Sequence, residues 1–314
     1  MQFIAMSVVK YLMMKNNTLI YVAGPTSVGK TKFSIELAKK FKTEILSCDS
    51  RQFYNEIPIG TGVPSKEELS EIRHHFIQHK SIKDTYTVGD FEKEIIYRMD
   101  KLFKNYKTLI MVGGSGMYAD AVMFGLDKFP EVSKEIRNQI NHFYEAHGLK
   151  SLQNLLFQKD PKYYNVVDKN NPIRLIRALE VSISSGRPYS SFLGKSTKKR
   201  DFISKMIILE CPREKLYRKI NKRVDLMLDR GLKEEAFKLI KYKSLTPLKT
   251  IGYKELFKFF EGKLSSDTAI SEIKKNTRRF AKKQITWFKK YDNALKFSST
   301  KSIIEVYDML NFSK

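Results

Sequence analysis

Acidic residues are scarce in this 314-residue chain: 34 Asp and Glu stand against 58 Lys and Arg, a formal net charge of +24. That excess goes far beyond what solubility requires. It points to a polyanionic partner, nucleic acid first and an anionic membrane surface second, with a Lys-rich solvated surface as the plain alternative. Cysteine is nearly absent. Cys48 and Cys211 alone make neither a disulfide framework nor a four-ligand zinc site, and a reducing cytoplasm fits. No apolar run reaches the length of a membrane span. Residues 1–14 lack the basic start, apolar centre and small-residue cleavage site of a signal peptide, and those ahead of Met13 and Met14 read as an upstream start or a frayed extension. Internal repeats and low-complexity tails are also missing. What remains is long enough for one large α/β domain plus a smaller module.

The organising stretch is Gly24, Pro25, Thr26, Ser27, Val28, Gly29, Lys30 and Thr31, which reads G-x-x-x-x-G-K-T. It follows a continuous apolar run, residues 19–23, suited to a buried parallel strand, and precedes Phe33, Leu37 and Phe41 at helical spacing. Strand, glycine loop and helix in that order make a phosphate cradle. The glycines let the backbone wrap around an anion, the helix N-terminus points at it, Lys30 adds a charge, and Thr31 can ligate Mg2+. This is the loop of ATP- and other nucleotide-binding proteins, and it fixes neither the phosphate compound nor the reaction.

Residues 43–48 predict a second strand that delivers Asp49, Ser50, Arg51 and Gln52 at its C-terminal end, where open parallel sheets bind ligands. Asp-Ser after a strand is also an ordinary turn or helix cap. Residues 53–65, with Pro58, Gly60, Gly62 and Pro64, read as an irregular surface loop. His75 and His79 have helical spacing for two metal ligands, but no third ligand is near, and buried or hydrogen-bonding histidines are the better reading. A helix over 90–104 leads to a strand over 108–112 that runs into Gly113, Gly114, Ser115 and Gly116. In a P-loop ATPase that strand ends in an acidic residue supporting Mg2+. Here glycines offer a ligand close backbone approach and Ser115 offers a hydroxyl.

From about 129 to 196 helical patterns dominate, which gives segments 14–127, 128–198 and 199–314. The expected fold is α/β: a P-loop parallel-sheet core with helices on both faces, interrupted by an all-helical insertion domain. Within the insertion, Asn171-Pro172 opens a helix whose Ile173, Ile176 and Leu179 alternate with Arg174 and Arg177. The two arginines share an exposed face, to pair with Glu180 or to grip phosphates. A strand over 206–210 and a helix over 214–228, which carries Arg223 and stops at Gly231, return to the core. In residues 249–254, Gly252 permits an unusual backbone angle and Tyr253 offers an aromatic face. Lys274, Lys275, Arg278, Arg279, Lys282, Lys283, Lys289 and Lys290 surround an apolar seam of Ile273, Phe280, Trp287 and Phe288. Periodicity turns the seam inward and leaves a cationic face for a phosphate backbone.

Together these pieces resemble the tRNA dimethylallyltransferases, also called tRNA isopentenyltransferases, from Thr18 to Tyr291. The matching motifs are the loop at 24–31, Asp49-Ser50, Gly60-Thr61, His74-His75, Asp90-Phe91, Val112-Gly113-Gly114, the run 174–180, Arg223, Gly252-Tyr253 and residues 279–287. The resemblance implies transfer of a dimethylallyl group from its diphosphate to N6 of adenosine 37 in tRNAs reading codons that begin with U, giving N6-isopentenyladenosine and diphosphate. It implies Asp49 as general base, Lys30 and Arg223 as cations on the diphosphate, residues 24–31 as its cradle, and Thr31 as the Mg2+ ligand. Ser115 takes the place of a threonine that touches the target adenosine region. Asp49, Ser50, Arg51, Gln52, Arg137, Ile173, Arg174, Leu175, Ile176, Arg177, Lys249, Thr250, Ile251, Gly252, Tyr253 and Lys254 correspond to tRNA contacts. Arg278, Arg279, Lys282 and Lys283 extend the basic face. The implied enzyme is a cytoplasmic monomer that takes the tRNA anticodon stem-loop and no membrane.

Two departures stand out: Ser115 lacks the threonine methyl, and Val63 stands where many members carry lysine. The chain lacks the Cys/His zinc-finger extension of many eukaryotic members, which favours a bacterial type. A diphosphate explains a P-loop without the ATPase carboxylate, and RNA explains the charge. Tyr253 and Phe53 are the aromatic candidates to line the route of a flipped adenine. Two other classes stay open: a small-molecule P-loop kinase, marked by ATP turnover, and a non-catalytic RNA-binding protein that needs neither Lys30 nor Asp49.

Overall fold

The computed structural model describes residues 17–194 and 199–312; the segment ahead of Met13 and Met14 lies outside the described residues. Strands β1 (Thr18–Ala23), β2 (Ile45–Ser47), β3 (His74–His75), β4 (Thr108–Val112), β5 (Ile203–Glu210) and β6 (Leu295–Ser298) form one sheet in the order β3-β2-β4-β1-β5-β6. Every pairing in it is parallel. Along β1, Leu19, Tyr21 and Ala23 enter one core while Ile20 and Val22 enter the other. Helix Val88–Leu102 covers the first through Phe91, Ile95 and Met99, and helix Lys30–Phe41 covers the second through Phe33, Ile35 and Leu37. Burial on both faces is why β1 and β4 read as continuous apolar runs.

The sequence pattern predicts neither β3, β6 nor the helix Ile303–Phe312 that packs Val306 and Leu310 into the second core. Residues 53–65 are also more regular than their prolines and glycines suggest. Pro58 opens the one-turn helix Pro58–Thr61, and Ser65 and Glu68 cap Lys66–Glu71 reciprocally.

The chain divides into two compact units, one joining residues up to Met123 to those from Arg200 onward, the other Phe124–Lys199. Among its described residues the second unit is helical, with Lys134–Lys159 broken at Gly148, then Pro161–Val166 and Pro172–Ser185. Ile140, Leu152, Leu156, Leu175 and Leu179 form its own core. No helix among the described residues is long and apolar enough to cross a membrane.

Candidate active site

The turn after β1 curls because Ser27 (φ 64°) and Gly29 (φ 116°) both take positive backbone angles. Gly29 is the N-cap of helix Lys30–Phe41 and caps it with no side chain, so the helix presents its first N–H groups to the loop. Thr26, Ser27, Gly29, Lys30 and Thr31 line a cavity of about 440 Å3. The buried Ser27 Oγ has no hydrogen-bond partner among the described residues, which suits an oxyanion acceptor above the loop. Gly24, Pro25 and Val28 are placed otherwise. Val28 is buried in the core, and Gly24 and Pro25 turn their carbonyls to Lys30 Nζ at 2.9 Å each.

Burial lowers the Lys30 pKa to about 8; the Asp49 carboxylate opposes the shift and Arg223 adds to it. Between pH 8 and the ordinary lysine range the folded chain binds fewer protons than the unfolded one, so this group's unfavourable contribution is complete below pH 8 and relieved above it. Anion binding needs the protonated form. The ratio of pyrophosphate affinities, wild type over Lys30→Met, is therefore expected to be flat below about pH 8 and to fall by up to about tenfold per pH unit above it. Calorimetric titration across pH 6.5–9.5 checks this, and a flat ratio throughout would contradict the assigned charge state.

Asp49, two residues beyond β2, lines the same cavity. Its Oδ1 accepts the Arg51 N–H at 3.1 Å, so the turn and the site are one arrangement in which the turn fixes the carboxylate's rotamer. Its charge acts on both Lys30 and Arg223. Arg223 donates to Thr26 Oγ1 (3.4 Å) and the Thr61 carbonyl (3.2 Å). Gly62 allows this approach: its φ is 61°, and a Cβ there would stand 2.0 Å from Arg223 Nη2. Ser115 Oγ accepts the Ser50 N–H at 3.1 Å and lies 3.0 Å from Ser50 Oγ, which ties the β4 turn to the Asp49 turn. Gly113 packs closely against protein: a Cβ there would lie 2.5 Å from Cys48 Sγ and 2.9 Å from Asp49 N.

Arg51, Gln52, Lys249, Thr250, Ile251, Gly252 and Lys254 also line this cavity, and Gly252 takes φ 99°. The aromatic expectation fails. Tyr253 and Phe53 are both fully buried. Tyr253 opens helix Tyr253–Phe260 on its core side, with Leu256 and Phe257, and donates its hydroxyl to Glu235. Phe53 packs among Phe91, Tyr86, His79 and Tyr118. Their large apolar areas favour the core over a wet channel. The apolar lining comes instead from Val224, Met227, Leu232, Ile251, Ile273 and Phe280.

Phe280 and Trp287 depart from the inward seam, being 41% and 37% exposed. Helix Ser266–Phe288 keeps Ile273 and Phe288 buried as expected and adds Ala269, Ala281 and Gln284 to that side. Arg279, Lys282 and Lys283 are exposed on it, whereas Arg278 donates to Asn221 at 2.7 Å, Lys274 pairs with Asp225 and Lys290 with Asp120. In the helical unit, Arg137 and Arg177 share the buried Glu180 carboxylate at 3.1 and 3.4 Å, so the Glu180 pairing is real and still leaves a net positive charge. Arg174 is exposed, Leu175 buried, Ile176 partly buried, and Ile173, expected on the apolar side, is 77% exposed.

His74 and His75 lie in a strand, so helical spacing to His79 does not arise. His75 bonds Glu44 at 2.5 Å, and His79 stacks edge-on with Phe53, Phe76 and Tyr86. Two site residues make distant pairings that local sequence does not show. Glu235 receives the Ile59 and Gly60 N–H groups, each at 2.9 Å, and thereby holds the loop that presents Thr61 and Gly62. Gln284 accepts the Thr26 N–H at 2.8 Å and donates to the Gly114 carbonyl at 2.9 Å.

A sequence model of IPP transferase matches residues 52–291. The chain is 52% identical over 295 residues to the tRNA dimethylallyltransferase of Christiangramia forsetii, covering 94% of this chain and 98% of that one. It is 51% identical to the tRNA dimethylallyltransferase of Flavobacterium psychrophilum, covering 92% and 97%. The fold resembles the full-length tRNA isopentenylpyrophosphate transferase of Bacillus halodurans, with TM-score 0.67 and 32% identity over 95% of this chain and 96% of that one. It also resembles a eukaryotic dimethylallyltransferase acting on tRNA, with TM-score 0.77 and 26% identity over 93% and 76% of the respective chains. With a family model matching residues 52–291 and relatives about half identical over nearly the whole of both chains, the chain belongs to the IPP transferase family.

Proposed function

We propose that this protein transfers the dimethylallyl group of dimethylallyl diphosphate to N6 of adenosine 37 in tRNAs reading codons that begin with U. The products are N6-isopentenyladenosine and diphosphate. The observation that carries this reading is a single cavity lined by an anion-binding loop with Lys30 and Arg223, by the Asp49 carboxylate, and by apolar side chains suited to a hydrocarbon group. A kinase reading leaves the +24 charge unexplained, and a purely RNA-binding reading leaves the loop unused.

An aromatic amine is a poor nucleophile, and an allylic carbon is a good electrophile once diphosphate leaves. Catalysis therefore rests on positioning, proton removal and leaving-group charge. The allylic C–O bond breaks as the N6–C bond forms. Asp49 accepts the N6 proton, Lys30 and Arg223 receive the departing negative charge, and no covalent enzyme intermediate is required. Ser115, through Ser50, holds the turn that carries Asp49. Thr31 supplies the hydroxyl donor that P-loops offer Mg2+, and it lines the cavity beside Lys30. Thr31 would hold that ion together with diphosphate oxygens, and the ion supplies further positive charge to the leaving group.

The tRNA anticodon stem-loop is the polyanion, and the enzyme works as a cytoplasmic monomer. Arg279, Lys282 and Lys283 on the basic helix, and Arg137, Arg174 and Arg177 in the helical unit, are the cations assigned to its phosphates. Changing Arg279, Lys282 and Lys283 to Glu is expected to reduce the magnitude of the log-affinity versus log-salt slope by roughly two to three. Filter binding from 50 to 300 mM salt measures it, and an unchanged slope would remove that helix from the RNA face. For the reaction itself, pyrophosphate release from dimethylallyl diphosphate should depend on added tRNA. ATP turnover driven by a small metabolite, with no tRNA requirement, would sink the proposal.

A further inference from the structure

Position 284 lies on the inward side of helix Ser266–Phe288, between the buried Ala281 and Phe288. Packing alone would favour an apolar residue there, yet the chain places an amide that is 6% exposed. Both ends of the amide are engaged with backbone. The carbonyl Oε1 accepts the Thr26 N–H of the phosphate loop, and Nε2 donates to the Gly114 carbonyl in the turn after β4. The Gly114 turn is shaped around it, since a Cβ at Gly114 would stand 2.2 Å from Gln284 Nε2. One side chain thus pins the middle of the loop to the neighbouring strand's turn.

We infer that Gln284 is a positioning residue for the diphosphate: it holds Thr26 and its neighbours in the anion-binding curl, acting through the loop and not on the reacting atoms. The inference deepens the function proposed above and rests on its assignment of the loop as the diphosphate site. Thr26 is well placed for this role, because its hydroxyl accepts a hydrogen bond from Arg223, the second cation of the site. Releasing the Thr26 N–H would loosen the loop and the Arg223 contact together. The Thr26 N–H is already occupied by Gln284 Oε1, which leaves the anion to the later N–H groups of the loop and the helix N-terminus.

The test uses Gln284→Met, of similar length but unable to make either bond, and Gly114→Ala, which should displace the amide. Both are expected to raise KM for dimethylallyl diphosphate and the Kd for pyrophosphate about tenfold or more, with KM for tRNA within about threefold of wild type. A merely structural residue would shift both substrates or neither, and either pattern would overturn the inference. Lys30→Ala, run alongside, separates the two layers. If it weakens pyrophosphate binding while Gln284→Met does not, the role of Gln284 falls and the diphosphate site stands. If neither weakens it, both fall. Should the variants not fold, amide exchange of wild-type Thr26 decides. Slow exchange in the ligand-free protein supports the clamp, and exchange at the rate of an open loop rejects it.

Discussion

Replacing Asp49 by asparagine is expected to lower single-turnover transfer by about 10²- to 10⁴-fold while tRNA and diphosphate bind within several-fold of wild type. Asparagine keeps the shape and can still accept the Arg51 N–H, so the turn after β2 survives. What it removes is the basicity needed to take the N6 proton. A residue that only held the turn would behave in the opposite way: Asp49→Ala would lose about 0.5–2 kcal/mol of stability, and the asparagine variant would turn over almost normally. Rates measured on the folded fraction, with tRNA affinity from the same sample, separate the two. A chemical step within threefold of wild type would end the base assignment.

Lys30→Ala is expected to slow transfer by roughly a hundredfold or more, with RNA affinity little changed. Lys30 Nζ rests on the Gly24 and Pro25 carbonyls at the loop's own start, whereas the exposed cations of the basic helix, Arg279, Lys282 and Lys283, lie elsewhere on the chain. With the ammonium gone, Arg223, on which Asp49 also acts, still lines the cavity. Full activity at saturating dimethylallyl diphosphate and Mg2+ would show that the loop does not carry the leaving group.

The parts of this site that local sequence reveals are those built from neighbours in the chain. Gly24, Gly29, Lys30 and Thr31 share one turn between a strand and a helix, and Asp49 follows the next strand in the chain, so order alone brings them to the carboxyl end of a parallel sheet. Residues whose roles depend on distant partners were hidden. Gln284 meets Thr26 across 258 positions, and Glu235 meets Ile59 across 176. Neither pairing leaves a periodic or compositional mark. Tyr253 and Trp287 show the related difficulty for aromatics, whose large apolar faces suit a core and a ligand surface equally well in sequence. Burial chose the core for Tyr253, while Trp287 stayed partly exposed with Lys290 over its ring. Strands β3 and β6 escaped because two histidines and a four-residue Leu-Lys-Phe-Ser segment carry too little pattern to separate edge strands from loops.

On the proposed function the cavity joins a dimethylallyl group to an anticodon-loop adenosine. Mass spectrometry of nucleosides from a tRNA reading a codon that begins with U, incubated with the protein, dimethylallyl diphosphate and Mg2+, tests it most directly. The expected product is N6-isopentenyladenosine at position 37 alone, formed with wild type and nearly abolished by Asp49→Asn. Unmodified adenosine at that position with folded, RNA-binding protein would rule out this transfer.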